Sequence, residues 1–86
     1  MAQGKRISTD LPAHALQTAQ ALGAAARQAR LAAGEGQAAA AARLGVHVQT
    51  IGRIEAGEPG VAIGHVLGLL DLYGLKVDAQ PREATP

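Results

Sequence analysis

The chain has 86 residues, a formal net charge of +1, no cysteine, no Phe or Trp, and a single Tyr. That length supports one small domain and argues against a two-lobed enzyme with a cleft between its lobes. The lack of Cys removes disulfides, thiolate catalysis and cysteine-bound zinc, and no apolar run approaches the ~20 residues that span a bilayer. No apolar signal segment opens the chain, so a cytoplasmic protein is expected.

Residues 1–10, MAQGKRISTD, are polar and aperiodic and read as a flexible arm carrying Lys5 and Arg6. Asp10 is then placed to cap a helix and Pro12 to open it. Its apolar residues recur as Leu11, Ala15, Leu16, Ala19, Leu22, Ala26, Ala29 and Ala33, a stripe of helical spacing. Gly23 interrupts the stripe and leaves open one helix or two, and Gly34 is a C-terminal cap. The run QAAAAARLG is a short alanine-rich helix closed by Gly45. After the turn GVH, the segment VHVQTIGRIEAG places Ile51 and Ile54 three apart and stops at Gly57, which predicts a second short helix. Two short helices across so tight a turn have the proportions of a helix-turn-helix.

Pro59 and Gly60 break the chain again. Beyond them a last core helix is expected with Ile63, Val66, Leu67, Leu70 and Tyr73 on its inner stripe, ending at Gly74. Leu75 and Val77 alternate with Lys76 and Asp78 as in a short strand, whose nearest partner would be its own copy in a second subunit. Residues 11–79 therefore read as one domain and 80–86 as a disordered tail. A core so rich in small residues is marginal for a lone domain, which argues for a dimer.

With Ile51 and Ile54 facing inward, Gln49 and Arg53 fall on the opposite face of the second short helix, one turn apart. An amide and a guanidinium suit adenine and guanine edges in the major groove. Thr50 and Val48 could bring methyl groups to thymine, and Gly52 leaves room for close backbone approach. Taken alone, such a face is more often simply solvated.

From Leu22 to Leu75 the chain resembles the Cro/CI-type (XRE) helix-turn-helix regulators. The resemblance is carried by Gly34, Gly36 and Gln37, then Arg43, Leu44, Gly45 and Val46, then His47, Gln49, Thr50, Ile51, Gly52, Arg53, Ile54, Glu55 and Gly57. It implies an all-α, lambda-repressor-like bundle of four to five helices, with a short C-terminal strand at a dimer interface as an option. It further implies that Gln37 opens the first motif helix and bonds a phosphate, that Val48, Gln49, Thr50 and Arg53 face bases and backbone, and that Arg30 and Glu55 form a structural ion pair. His47 stands as a weak helix cap able to donate to a phosphate, and Arg43, Lys5 and Arg6 are further basic candidates for DNA, the last two as a minor-groove arm. The segment GEPGVAIGHVLGLLDLYGLKV is similar to HipB-type antitoxins, which places Leu70, Tyr73, Leu75 and Val77 at the expected dimer interface. The chain departs from the family at Glu35, where an apolar residue is usual, at Gly36 and His47 in place of Thr and Ser caps, and at Ala40 in place of a core Leu.

No catalytic arrangement is visible: Ser8 is the single serine, the carboxylates are scattered, and His14, His47 and His65 occupy separate segments, so neither an enzyme, a metal site nor a cofactor is expected. The expected function is a homodimeric repressor on a palindromic operator in bacterial cytoplasm, held to the nucleoid when bound. The alternatives are a type II antitoxin that neutralises a partner protein and autoregulates its operon, and a scaffold used for protein contacts alone; a toxin or a co-repressor protein is the further partner these readings allow.

Overall fold

A computed structural model describes residues 11–82 as four helices: α1 Ala13–Ala32, α2 Gln37–Leu44, α3 Val48–Glu55 and α4 Ile63–Leu72. The arm residues Lys5 and Arg6, the cap proposed for Asp10 and the end of the tail at 83–86 lie outside the described residues. No helix among the described residues is long and apolar enough to cross a membrane.

Alanine is the strongest helix former, and α1 runs through Gly23 as a single helix of 20 residues. Pro12 is the N-cap of α1 rather than its first helical residue; it offers no side-chain cap, but its carbonyl accepts from the Leu16 N–H at 3.1 Å. Each helix stops at a glycine with positive φ: Gly34, Gly45, Gly57 and Gly74. At Gly34 the turn is closed by Glu35 N–H donating to the Arg30 carbonyl at 3.2 Å, which satisfies a carbonyl the helix leaves open.

The core consists of Ala26, Ala40, Ala41, Ile51, Ile54, Leu69 and Leu70, surrounded by half-buried Leu22, Leu44, Val46, Val61, Val66, Leu72, Tyr73 and Leu75. Ile51, Leu69 and Leu70 are its largest fully buried side chains, each contributing about 1.5–3 kcal/mol. The inner stripe of α4 differs from the expected one. Leu69 is fully buried, whereas Ile63 is 66% exposed and Leu67 is 43% exposed. The sequence IGHVLGLLDL is apolar nearly all round, so its periodicity fixes no phase, and packing on α1 and α2 selects Val66, Leu69, Leu70 and Tyr73 instead. The stripe of α1 is also narrower than its spacing suggests: Ala26 is buried, while Leu11, Ala15 and Ala33 are exposed.

Residues 75–82 carry no strand or helix. A strand needs a hydrogen-bonding edge, and none is present among the described residues. Leu70, expected at a subunit interface, is 1% exposed within the protomer and belongs to its core, so it has no surface to give a partner.

Candidate nucleic-acid interface

Three residues, Gly45 to His47, separate α2 from α3. Gly45 takes φ +80 and its N–H donates to the Ala41 carbonyl at 2.8 Å, with Val46 N–H on the same carbonyl at 3.0 Å. The chain then enters α3 through His47, an extended N-cap whose side chain makes no capping bond. Gly36 likewise begins α2 without a side-chain cap. The first N–H groups of both helices are therefore left for solvent or an anion, with the positive end of each helix dipole behind them.

Ile51 and Ile54, 0% and 2% exposed, hold α3 to the body. Its outer face carries Val48 and Gln49, both exposed, with Arg53 one turn further on and also exposed. Thr50 and Gly52 are half-buried, and a Cβ at Gly52 would meet nothing within 4 Å. Gln49 and Arg53 thus share an open face bordered by small groups.

The far end of α3 is fixed by an ionic cluster. Arg30 on α1 donates from Nε to Glu55 Oε2 at 2.7 Å and from Nη2 to Oε1 at 3.0 Å, and both side chains are at most 6% exposed. Gln37, the first residue of α2, donates from Nε2 to the same Oε1 at 3.0 Å. Burial pushes the Glu55 carboxyl up, but the hydrogen bonds of Arg30 and Gln37 and the Arg30 charge outweigh it, so the group stays below its ordinary value. The same bond from Glu55 raises the Arg30 guanidinium further despite its burial. Gln37 therefore sits half-buried against Glu55, with one amide hydrogen left for another acceptor.

The helix-turn-helix elements also bear on α1 directly. A Cβ at Gly23 would collide with the Ile54 carbonyl and come 2.9 Å from the Glu55 carbonyl oxygen. Gly23 is the point at which the backbones of α1 and α3 meet.

A second cluster was not foreseen from sequence. Glu35 accepts from Arg43 Nη1, 2.9 Å to each oxygen, and from the Tyr73 hydroxyl at 2.7 Å; the Arg43 guanidinium stands 5.4 Å from the Tyr73 ring centre. The Tyr73 bond and the Arg43 bond together lower the Glu35 carboxyl below its usual value, while burial and the Glu35 bond raise the Tyr73 phenol. Arg43, expected among the DNA contacts, is thereby engaged with Glu35. Tyr73, expected at a dimer interface, turns its hydroxyl into its own chain and is half-buried, as is Leu75. Of the four interface candidates, Val77, 43% exposed, is the one on the surface. The available signal was Glu35 itself, an acid in the turn after α1, in a chain whose single aromatic residue is Tyr73. A third pair, Arg53 Nε to Glu58 Oε1 at 3.5 Å, lies in the open, and its acid follows the α3 cap.

The comparison with protein families decides the architecture's identity: the family model described as a helix-turn-helix domain matches residues 21–84. The chain belongs to that helix-turn-helix family. The match contains the Gly23 contact, both motif helices and α4. It makes the helix-turn-helix chain a DNA-binding regulator of the XRE-like type. Neither the curated proteins nor the solved structures gave a match.

Proposed function

We propose that the protein is a sequence-specific transcriptional repressor that binds a palindromic operator as a homodimer, with α3 in the major groove. The observation that supports this most directly is the open face of α3, where Gln49 and Arg53 stand one turn apart while Ile51, Ile54 and Glu55 hold the helix from behind. Gln offers a donor and an acceptor that match adenine, and Arg two donors that match guanine. Uncapped N–H groups at α2 and α3, with the second Gln37 hydrogen and His47, suit phosphates on either side of the groove. Two copies related by a two-fold axis would present their α3 helices to half-sites about 34 Å apart. Repression follows if the operator overlaps a promoter.

Selection of duplexes from a random pool, followed by gel-shift titration at fixed salt, tests this. An inverted repeat should emerge, and Gln49→Ala and Arg53→Ala should each weaken its binding by about 1–3 kcal/mol while changing random-duplex binding less. Equal affinity of the unaltered protein for selected and random duplexes would sink the proposal.

A further inference from the structure

We propose that Glu58 is a positioning residue that sets the DNA specificity of Arg53; this rests on the reading of α3 as the base-contacting helix. The pair does not account for itself as a stabilising contact. At 3.5 Å, with side chains 63% and 52% exposed, it adds little to the fold.

What distinguishes Glu58 is how firmly its backbone is placed relative to Arg53. The Glu58 N–H donates to the Arg53 carbonyl at 3.1 Å, closing the C-terminal turn of α3. Gly57, between α3 and Glu58, takes φ +77, where a side chain is strained. Its backbone also lies against α1, so close that a Cβ would come 2.6 Å from the Gln20 Cα. The carboxylate is thus mounted on a turn clamped to α1, and side-chain torsions are its main remaining freedom.

Glu58 meets Arg53 at Nε, the inner side of the guanidinium. The terminal nitrogens of Arg53 make no hydrogen bond among the described residues, which leaves them for the two-pronged contact with guanine. Keeping a long side chain near Glu58 before binding reduces the ordering cost that a free arginine meets on the DNA. The same negative charge beside the interface repels phosphates and so weakens sequence-independent binding. Both effects act in one direction: Glu58 raises the ratio of operator to non-operator affinity at the expense of raw affinity.

The test compares E58Q, R53A and the double variant with the unaltered protein. Each is titrated at one salt concentration against the duplex that the unaltered protein selects from a random pool, and against an unrelated duplex of equal length. E58Q is expected to bind the unrelated duplex about three- to tenfold more tightly, to lose about tenfold in the affinity ratio, and to keep its thermal midpoint. In the R53A background, E58Q should still tighten unrelated binding but leave the ratio unchanged. If E58Q tightens both duplexes equally, or changes neither, the positioning role is overturned while the base-contact reading of Arg53 stands. If R53A alone keeps the full ratio, that underlying reading fails and Glu58 has no specificity to set.

Discussion

Glu55 is the side chain on which three helices converge, since it stands on α3 and takes hydrogen bonds from Arg30 of α1 and Gln37 of α2. Removing its charge leaves the Arg30 guanidinium buried without a counterion, so Glu55→Gln should cost about 3–5 kcal/mol in urea denaturation. The pH dependence follows from the sign of the shift. The folded carboxyl lies below its ordinary value of 4.5, so the unfolded chain takes up the proton first as pH falls. Stability from this group is fully present above that ordinary value and is lost as pH drops through the folded one. The Glu35 carboxyl is lowered too, by Tyr73 and Arg43, and adds to the same window. Urea midpoints measured from pH 7 downward should therefore hold level to about pH 5 and fall below it. A midpoint unchanged down to pH 3 would contradict the account.

At the scale of elements, the glycines separate packing from binding. Alanine at Gly23 would improve helix propensity, yet its Cβ has the Ile54 and Glu55 carbonyls in the way. Backbone cannot rotate aside as a side chain can, so Gly23→Ala should be net destabilising by about 1–3 kcal/mol. Gly52→Ala meets nothing within 4 Å and should stabilise α3 by about 0.5–1 kcal/mol. If α3 approaches DNA across Gly52, that same variant should bind the operator more weakly while its thermal midpoint rises, a divergence that calorimetry and gel shift together would reveal. These elements also mark what the sequence could and could not disclose. Helix ends were legible because Gly34, Gly45, Gly57 and Gly74 occupy the left-handed positions that close them. The motif helices were legible because Ile51 and Ile54 leave one face for Gln49 and Arg53. The phase of α4 was not, since Ile63, Leu67 and Leu69 are equally apolar and three-dimensional packing alone chooses Leu69. Nor could spacing show that Gly23 of α1 touches α3, or that Glu35 of the α1–α2 turn meets Tyr73 at the end of α4, because such contacts join residues far apart in the chain.

At the scale of the whole molecule, a net charge of +1 understates and misplaces the electrostatics of binding. Three of the arginines are already matched with acids: Arg30 with Glu55 in the interior, Arg43 with Glu35, and Arg53 with Glu58. What α2 and α3 offer phosphates is therefore mainly N–H groups at uncapped helix starts, which carry partial rather than full charge. Counterion release scales with the phosphates neutralised by cations, so a dimer making about two such contacts per subunit should give a log–log salt slope of about −4. More of the affinity is then left to base contacts, and operator preference should persist as salt rises. Lys5 and Arg6 give a way to divide the slope: replacing both by Ala should reduce it by about 2–4 in a dimer if the arm follows the minor groove, and leave it unchanged if the arm stays in solvent. Filter binding between about 50 and 200 mM salt measures both quantities. A slope of about −7 would mean that the ion pairs of Arg43 and Arg53 open on DNA and that their charges go to phosphates rather than to Glu35 and Glu58.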